Sequence, residues 1–584
     1  MLGYLDVCVA AASRVVTSGK FLPVPPQSDG QESSLNEAER MGPLGFKMGR
    51  KHCAPQVVSY SQNRQSNLDV PEEPQLPFSG STQNKRPTIT RSEGVTPSER
   101  YLKELCDHSF LSLWSYPGVF RDQGDGKEVS DLLVVFENNV IIFSDKHIRF
   151  DNTEKIGISW ARWFKKAVLK SAQQVWGAER WIKQFPTRLF LDKGCTIPFP
   201  IVLPDPATAT FHRIVVAHDA SRVCKEHLGG SGSLVLNSQV VGEEHLKEPF
   251  VIGHVDPTQG YVHVFDDTSL DVVMTYLDTI SDFVAYLTKK ETLLTCGINV
   301  LAAGEEELLA RYVGRLDNNG EHDFALAKDT AGVVFDEGGW AKFLNSNERM
   351  AQVKANEISY SWDLLIEKFL HHLMSGTQYE TTHLEIRDQE QSFRWLAREN
   401  RTRRRMLAKA LHGLLGKTPA DYRASRIIIP SRPGDPHYLF LLLPYYPSLE
   451  EEEYRRARAQ LLREYCLVVK LHYPDAKHVI GIATEPLNNN HPRTEDFVHL
   501  DATEWNEELG KQARASKVDL GIFTNVQTFA GTEQEYPVDE TRSKRVLVSR
   551  NSSCFCGSGK RHKRCCGAGM FSKKKGKLFR TIKD

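Results

Sequence analysis

The sequence predicts a multidomain protein of the α/β (α+β) class, and three observations lead to that prediction. The chain has 584 residues, enough for about three or four domains of ordinary size. Short runs of β-branched and aromatic residues alternate with longer amphipathic stretches, which indicates a mixture of strands and helices. Near the end of the chain, four of the eleven cysteines lie close together. We therefore expect mixed domains followed by one small cysteine-based knuckle.

Composition and charge narrow the class of protein. Hydrophobic residues make up 40% and charged residues 25% of the chain, as in soluble globular proteins. No apolar run approaches the roughly 20 residues of a membrane span, and residues 1–12 lack the basic start of a signal peptide, so we predict a cytoplasmic location. The formal net charge is +0, yet residues 542–584 contain fourteen Lys or Arg and one acidic residue. Any attraction for nucleic acid is therefore expected to be local to this end.

Composition and periodicity divide the chain into segments. Residues 1–95 are rich in Ser, Gln, Asn, Pro and Gly without periodicity, which predicts a disordered arm. The segments that follow are an α/β domain at 96–190, an α+β extension at 191–300, a mainly helical region at 301–425, an α/β domain at 426–541, a cysteine knuckle at 542–570 and a basic tail at 571–584.

The block from 98 to 183 has the clearest pattern. Ser98 is predicted to cap a helix. Residues 131–136 and 140–146 then form two strands joined by a tight turn, and the first strand is apolar on both faces, as in the centre of a sheet. A long helix with one apolar stripe is predicted for 159–183. The expected order is thus helix, β-hairpin, helix.

Further elements are predicted downstream. They are strands at 213–217, 250–253 and 261–265, a hairpin of 426–429 with 438–443, a helix opened by a capping box of Ser448 and Glu451, and strands at 478–483 and 518–523. The predicted helix 393–415 carries many arginines, which could follow phosphates. Because these arginines spread around the helix, a solvated face is the favoured interpretation.

The hairpin of the first block brings charged residues together. If its turn centres on Asn138, Asp131 lies opposite residues 144–146, with Cβ atoms about 5 Å apart. A carboxylate beside a lysine, with a glutamate upstream, forms a plausible site for a divalent metal and an activated water.

This block resembles the core of the PD-(D/E)xK nucleases, which has the order helix, β-hairpin, helix. The family has an acid on the first hairpin strand and (Asp or Glu)-x-Lys on the second. The resemblance implies that Asp131 and Glu99 bind Mg²⁺ or Mn²⁺, with Glu104 as the substitute for Glu99, and that Lys146 positions the attacking water. It also implies a DNA or RNA substrate.

The hairpin departs from the family pattern at one position. Ser144 stands where the pattern has an acid, and the acid next to it is Asp145. Since strand neighbours point to opposite faces, Asp145 reaches the metal only through a β-bulge or an early strand end. Glu128 is a possible substitute, and Gln174 or Lys170 of the following helix could lie near the site. The alternatives are a migrated catalytic site, a nuclease fold used for binding, and an unrelated charged hairpin.

Histidines and acids near the next strands form a weaker candidate. His212 and His218 flank one predicted strand, with Asp219 adjacent, and His263 and Asp267 mark another. Isolated histidines at strand ends are more often packing or surface residues than ligands, so no site is predicted there.

The cysteine cluster near the end predicts a zinc site. Cys554-x-Cys556, eight residues and Cys565-Cys566 make two close pairs joined across a Gly-Ser-Gly turn. Zinc takes four such ligands in a tetrahedron, and a module this small needs the metal to fold. Basic neighbours lower thiol pKa values and so favour the thiolates that bind zinc. The alternative is two disulfides in a secreted protein.

These residues resemble the SEC-C motif, a zinc module known from the C-terminus of the SecA translocation ATPase. The resemblance covers 550–567 and implies Cys554, Cys556, Cys565 and Cys566 as zinc ligands. No phosphate-binding loop of the G-x-x-x-x-G-K-[ST] form is present, so a SecA-type ATPase is not predicted. The leading hypothesis is a metal-dependent nuclease helped by the knuckle and tail. The rival is a non-enzymatic adaptor whose knuckle docks a protein or ribosomal partner.

Overall fold

The computed structural model describes residues 11–18, 88–124, 126–152, 155–317, 321–327, 329–378, 385–430, 432–487, 493–524, 526–537, 560–561 and 564, with the backbone alone for 11–18 and 526–532. Three mixed β-sheets with helices packed around them make up this part of the chain, which confirms the mixed α/β class. Among the described helices, none is both long and apolar enough to cross a membrane.

The first strand lies within the arm that was predicted to be disordered. Strand β1 (Ala11–Ser18) pairs in antiparallel fashion with two strands of the third sheet. These residues thus form a strand, while the extent of the disordered arm stays a prediction. Backbone pairing needs no particular side chains, so a segment without clear periodicity can still pair with strands that are distant in the sequence.

Helix α1 (Pro97–Phe110) opens the α/β domain predicted at 96–190. Its N-cap is Thr96, whose hydroxyl accepts from the Glu99 amide, while the Glu99 carboxylate accepts from the Thr96 amide. The prediction that Ser98 is the cap is wrong, because Pro97 takes the first helical position and shifts the cap to Thr96.

The predicted hairpin is confirmed, with one more strand in front of it. Strands β2 (Ser115–Arg121), β3 (Lys127–Phe136) and β4 (Asn139–His147) form an antiparallel meander, and β3 pairs with β4 through Leu132 and Phe143. Strand β2 was not predicted because Pro117 and Gly118 weaken its strand pattern, and it lies at the sheet edge, where proline is tolerated.

The predicted long helix is also confirmed, in three consecutive parts. Helix α2 (Ile156–Phe164) continues through a π-helical turn (Lys165–Leu169) into α3 (Lys170–Gln184). Trp160, Trp163 and Phe164 are buried, as the apolar stripe predicted.

Parallel strands complete the first sheet. They are β5 (Thr210–His218), beside β4, and β8 (Val262–Phe265), beside β5, and the sheet order is β2-β3-β4-β5-β8. Between β5 and β8 the chain forms α4 (Ser221–Leu228), β6 (Val235–Val241) and β7 (Val251–His254). Because β4, β5 and β8 are parallel, their carboxyl ends meet at one edge of the sheet.

The second sheet and its helices follow. The elements are α5 (Asp267–Tyr276), α6 (Ile280–Thr295), β9 (Asn299–Ala302), α7 (Glu305–Val313), β10 (Gly332–Phe335), α8 (Gly339–Leu344), α9 (Asn347–Asn356), α10 (Tyr360–Ser375), α11 (Ile386–Ala397) and α12 (Arg401–Leu415). The second sheet has the order β10-β9-β6-β7.

The third sheet has the order β14-β13-β12-β11-β1-β15. Its remaining elements are β11 (Ala424–Ile429), β12 (His437–Leu442), α13 (Glu451–His472), β13 (His478–Thr484), β14 (Glu495–Asp501), α14 (Glu507–Asp519) and β15 (Val526–Glu533). The predicted hairpin of β11 and β12 is confirmed. Two details are wrong: Glu450 rather than Ser448 is the N-cap of α13, and residues 518–523 end α14 and form a turn instead of a strand.

The arginines of the predicted helix 393–415 do not form a solvated face or a surface that follows phosphates. Arg401, Arg403, Arg404 and Arg405 of α12 are buried. Arg401 and Arg404 pair with Asp363 of α10. Charge alone made these arginines look exposed, but buried guanidinium groups are tolerated where each meets a carboxylate or carbonyl.

One hydrophobic core runs through most of the chain. It extends from Leu102 to Ile482 and includes residues of all three sheets, while a second cluster fills the space between the third sheet and α13. The segment boundaries at residues 95, 190, 300, 425, 541 and 570 remain predictions.

Candidate functional site

The hairpin brings Asp131 and Lys146 together, as predicted. Both lie on the sheet face that α3 covers, on adjacent strands β3 and β4, and Lys146 Nζ is 3.7 Å from Asp131 Oδ2. The Asp131 side chain is only 4% exposed, whereas that of Lys146 is 36% exposed. The Lys146 side chain therefore reaches solvent, and the Asp131 carboxylate is buried beneath it.

Asp131 accepts hydrogen bonds from its neighbours. The Asp145 amide donates to Oδ2 at 2.6 Å, and the Gln174 side chain of α3 donates to Oδ1 at 3.4 Å. Ser144 donates to the Gln174 carbonyl oxygen at 3.2 Å. Burial raises the pKa of Asp131, and Lys146 and these hydrogen bonds offset only part of that effect.

Two further carboxylates act on this site electrostatically. Glu99 Oε2 accepts from both the Val95 and the Thr96 amides, so this oxygen is used in the cap of α1. Burial, together with the charges of Asp131 and Glu99, raises the pKa of Glu128 to about 7, although Lys146 lowers it. Glu128 was the possible substitute for the acid that is missing at position 144, and its pKa lies near neutral pH. Glu104, the predicted substitute for Glu99, lies within α1, and Lys170 lies at the start of α3.

Asp145 does not join this group. The register of β4 against β5 runs without a shift from Asn139 to His147, so Asp145 points to the opposite face of the sheet. There Asp145 Oδ1 lies 2.5 Å from His218 Nε2. The bulge that would turn Asp145 toward Asp131 does not form in β4, and the predicted grouping of Asp145 with Asp131 is corrected accordingly.

On that opposite face lies a second polar group, at the carboxyl edge of the parallel strands. The His218 ring stands between two carboxylates, because its Nδ1 is 2.5 Å from Asp267 Oδ1. The His147 ring stacks on His218 with centroids 5.6 Å apart. The sequence placed His218 and Asp267 at strand ends but could not show that these ends adjoin, since that depends on the strand order.

The pH dependence of stability should reveal the Asp145–His218–Asp267 group. Burial alone would lower the pKa of His218, but hydrogen bonds and charges from Asp145 and Asp267 outweigh it and raise the pKa to about 10. In the unfolded chain the value is about 6.5. His218 therefore contributes stability that is complete below about pH 6.5 and is lost as the pH rises toward 10. Wild type should melt at a higher temperature than His218→Gln at pH 6.5, and this difference should shrink as the pH rises toward 10.

His227→Gln provides the matched control, because His227 is an exposed histidine on α4. Its melting temperature should follow that of the wild type at each pH. A His218→Gln gap that stays constant from pH 6.5 to pH 10 would show that His218 is not charged in the folded protein.

The residues around Asp131 do not fit a two-carboxylate Mg²⁺ or Mn²⁺ site. Such ions take several oxygen ligands at short distance. Ser144 occupies the second acid position, Asp145 faces away, and Glu99 caps a helix. Within the described ranges, a group with ligand atoms close enough to share one ion occurs at another place on the sheet. The predicted metal set of Glu99, Asp131 and Asp145 is therefore not assembled.

A family model matches the end of the chain. The family model described as "SEC-C motif" matches residues 550–568. These include the cysteines Cys554, Cys556, Cys565 and Cys566, which lie outside the described residues. The chain therefore contains a SEC-C motif.

Two curated proteins are similar over parts of their length. Protein translocase subunit SecA of Caldicellulosiruptor saccharolyticus is 26% identical over 136 residues, 20% of this chain and 16% of that protein. Protein translocase subunit SecA of Pelobacter propionicus is 34% identical over 71 residues, 12% of this chain and 7% of that protein. The chain thus spans less than a fifth of the length of either relative. No solved structure gives a significant match.

Proposed function

We propose that this chain is a zinc protein that binds nucleic acid through its knuckle and basic tail, and that its α/β domain is nuclease-like in fold without cleaving. The observation that carries the proposal is the arrangement around Ser144: the acid next to it, Asp145, lies on the opposite face of the sheet and binds His218. In this proposal the α/β domain does not hydrolyse phosphodiesters, and nucleic-acid binding is left to the knuckle and the tail.

The order of elements supports a nuclease-like domain. Helix α1 leads into the meander β2, β3 and β4, the helices α2 and α3 follow, and β5 returns parallel to β4. This contains the order helix, hairpin, helix expected for a PD-(D/E)xK core. Gln174 and Lys146 also occupy the places that the resemblance implies, close to Asp131. Fold likeness alone does not decide chemistry, so function rests on the site.

The distribution of charge supports nucleic acid as the partner. Residues 542–584 hold fourteen of the 74 Lys and Arg residues and one of the 74 Asp and Glu residues. Since the formal net charge of the whole chain is +0, the rest of the chain is net acidic and repels phosphate. Zinc held by Cys554, Cys556, Cys565 and Cys566 would order the knuckle between the acidic body and the basic tail.

Removing the basic end should abolish most nucleic-acid binding. We expect a variant that ends at Thr541 to bind single-stranded RNA at least about tenfold more weakly than the full chain at low salt, because basic side chains supply nearly all non-specific affinity. Its plot of log affinity against log salt should also flatten, by about 0.7 for each phosphate that the shortened chain no longer neutralises. Fluorescence anisotropy with labelled RNA and DNA measures both quantities.

The control variant replaces Lys573, Lys574 and Lys575 by glutamine and keeps the knuckle, so it should lose only part of the salt dependence. Equal affinity of the full and shortened chains would contradict the proposal. Binding of ribosomal protein or another protein partner, with no affinity for free RNA or DNA, would favour the adaptor alternative.

Phosphodiester hydrolysis is a second candidate, favoured by the 3.7 Å approach of Lys146 to Asp131. The same samples, given magnesium or manganese, test it against plasmid DNA and single-stranded RNA. We expect no cleavage. Cleavage that disappears in Asp131→Ala and Lys146→Ala would overturn the non-catalytic part of the proposal while leaving the binding part in place.

A further inference from the structure

A second group of potential ligands lies at the amino-terminal half of the parallel strands, away from Asp131. His212 of β5, His263 of β8 and Glu291 of α6 offer ligand atoms that all lie within 4.8 Å of one another. Both histidines are 0% exposed. The group therefore belongs to the interior of the domain, under helix α6.

The strand register explains why these histidines meet. Strands β5 and β8 are neighbours, and Ile214 pairs with His263. Because His212 precedes Ile214 by two residues, His212 and His263 point to the same face, with ring centroids 6.5 Å apart. Helix α6 covers this face and places Glu291 Oε2 3.8 Å from His263 Nε2.

Buried ring nitrogens here lack hydrogen-bond partners. Among the described residues, His263 Nδ1, His263 Nε2 and His212 Nδ1 are buried without one. His212 Nε2 lies 3.3 Å from Asn139 Oδ1 and can donate to it, which leaves the lone pair on Nδ1. An unpartnered buried polar atom costs free energy, so these nitrogens point to a missing partner. A carboxamide that fixes the tautomer of a histidine is also a common support for metal ligands.

The two cationic side chains next to the group are each paired with a carboxylate outside it. Arg213 is bound by Glu179, with Nη2 2.8 Å from Oε1, and Lys290 is bound by Glu305 at 2.6 Å. Neither Arg213 nor Lys290 therefore neutralises the Glu291 carboxylate by direct contact. Burial lowers the pKa of His212 to about 3 and holds the pKa of His263 well below its usual value. Neutral imidazole is the form of histidine that binds metals.

We propose that His212, His263 and Glu291 bind a divalent transition-metal ion, with Zn²⁺ the best match to two imidazoles and one carboxylate. Ligand atoms of tetrahedral zinc are about 3.3 Å apart, given bonds of about 2.0–2.1 Å, so the observed 3.8 Å separation closes by small side-chain rotations. The Glu291 side chain is 33% exposed and gives the ion a path from solvent.

A fourth histidine in this part of the domain does not belong to the group. His254 ends β7, and the Tyr261 ring contacts both His254 and His263, so the two histidines are separated by an aromatic side chain. The ion would join β5, β8 and α6, with water completing the tetrahedron.

The test must separate this site from the cysteine knuckle. The full chain with all four knuckle cysteines, Cys554, Cys556, Cys565 and Cys566, replaced by serine is titrated with Zn²⁺ against a chromophoric chelator, and its melting temperature is followed. We expect the variant to retain tight binding of one zinc per chain and a zinc-dependent rise in melting temperature. Adding Glu291→Gln should weaken this binding at least tenfold, and adding His263→Gln should weaken it further.

One control variant tests whether the effect is specific to the proposed ligands. Glu348→Gln, an exposed glutamate on α9, should leave zinc affinity unchanged. Because His263 is fully buried and its replacement could unfold the domain, the partly exposed Glu291 is the decisive position. The proposal is overturned if the knuckle variant binds no zinc, or if Glu291→Gln binds it as tightly as its parent does.

Discussion

Replacing Cys565 and Cys566 by serine is expected to lower the zinc affinity of the knuckle by about 10⁴-fold or more. Structural zinc in small modules is bound with about 10–16 kcal/mol, so losing two of four thiolates removes about half of that free energy. Cobalt substitution isolates this site, because thiolate-to-cobalt charge-transfer absorption arises at the cysteines and not at histidine and glutamate ligands. The band should be lost in the double variant.

Cys296→Ser is the matched control. Cys296 is an exposed free cysteine at the end of α6, so its loss should leave the cobalt spectrum intact. An unchanged spectrum in the Cys565→Ser/Cys566→Ser variant would mean that the knuckle does not bind metal through these thiolates. Disulfides detected between the four knuckle cysteines in freshly purified protein would support the secreted alternative instead.

The second large effect concerns the buried arginines, where Asp363→Ala should destabilise the protein by about 3–5 kcal/mol. The Asp363 carboxylate accepts from Arg401 at 2.6 Å and from Arg404 at 2.8 Å. Arg401 has Asp278 as a second carboxylate, but the remaining bonds of Arg404 go to backbone carbonyl oxygens. The side chain of Arg404 is 0% exposed, so its charge would be left without compensation.

Thermal unfolding of the full chain measures this loss. Glu226→Ala is the control, because Glu226 pairs with Arg222 on the exposed surface of α4, and such pairs contribute about 0–1 kcal/mol. If Asp363→Ala and Glu226→Ala shift the melting temperature equally, α12 is not held by its buried ion pairs. Replacing Asp363 and Arg404 together by leucine should recover part of the loss, because it removes the unpaired charge.

Local patterns along the chain were sufficient for the first block. The alternation and turn around Asn138 predicted the hairpin, the apolar stripe predicted the helix after it, and the hairpin geometry predicted that Asp131 and Lys146 meet. Each of these features depends on neighbours within about twenty residues, so the information is present in a short window of sequence. The cysteine spacing likewise identified a motif that a family model matches at residues 550–568.

Local patterns were not sufficient where distant segments meet. The pairing of β4, β5 and β8 decided that His218 binds both Asp145 and Asp267, and that His212 lies beside His263 under Glu291. The packing of α12 against α10 decided that its arginines are buried. Strand order, register and helix packing depend on how apolar faces are buried together across the whole core. Many arrangements compete to bury those faces, and local patterns in one sequence do not show which of them is the most stable. The sequence alone therefore determined the hairpin, its Asp131–Lys146 pair and the knuckle motif, and the tertiary structure decided which other polar residues share a site.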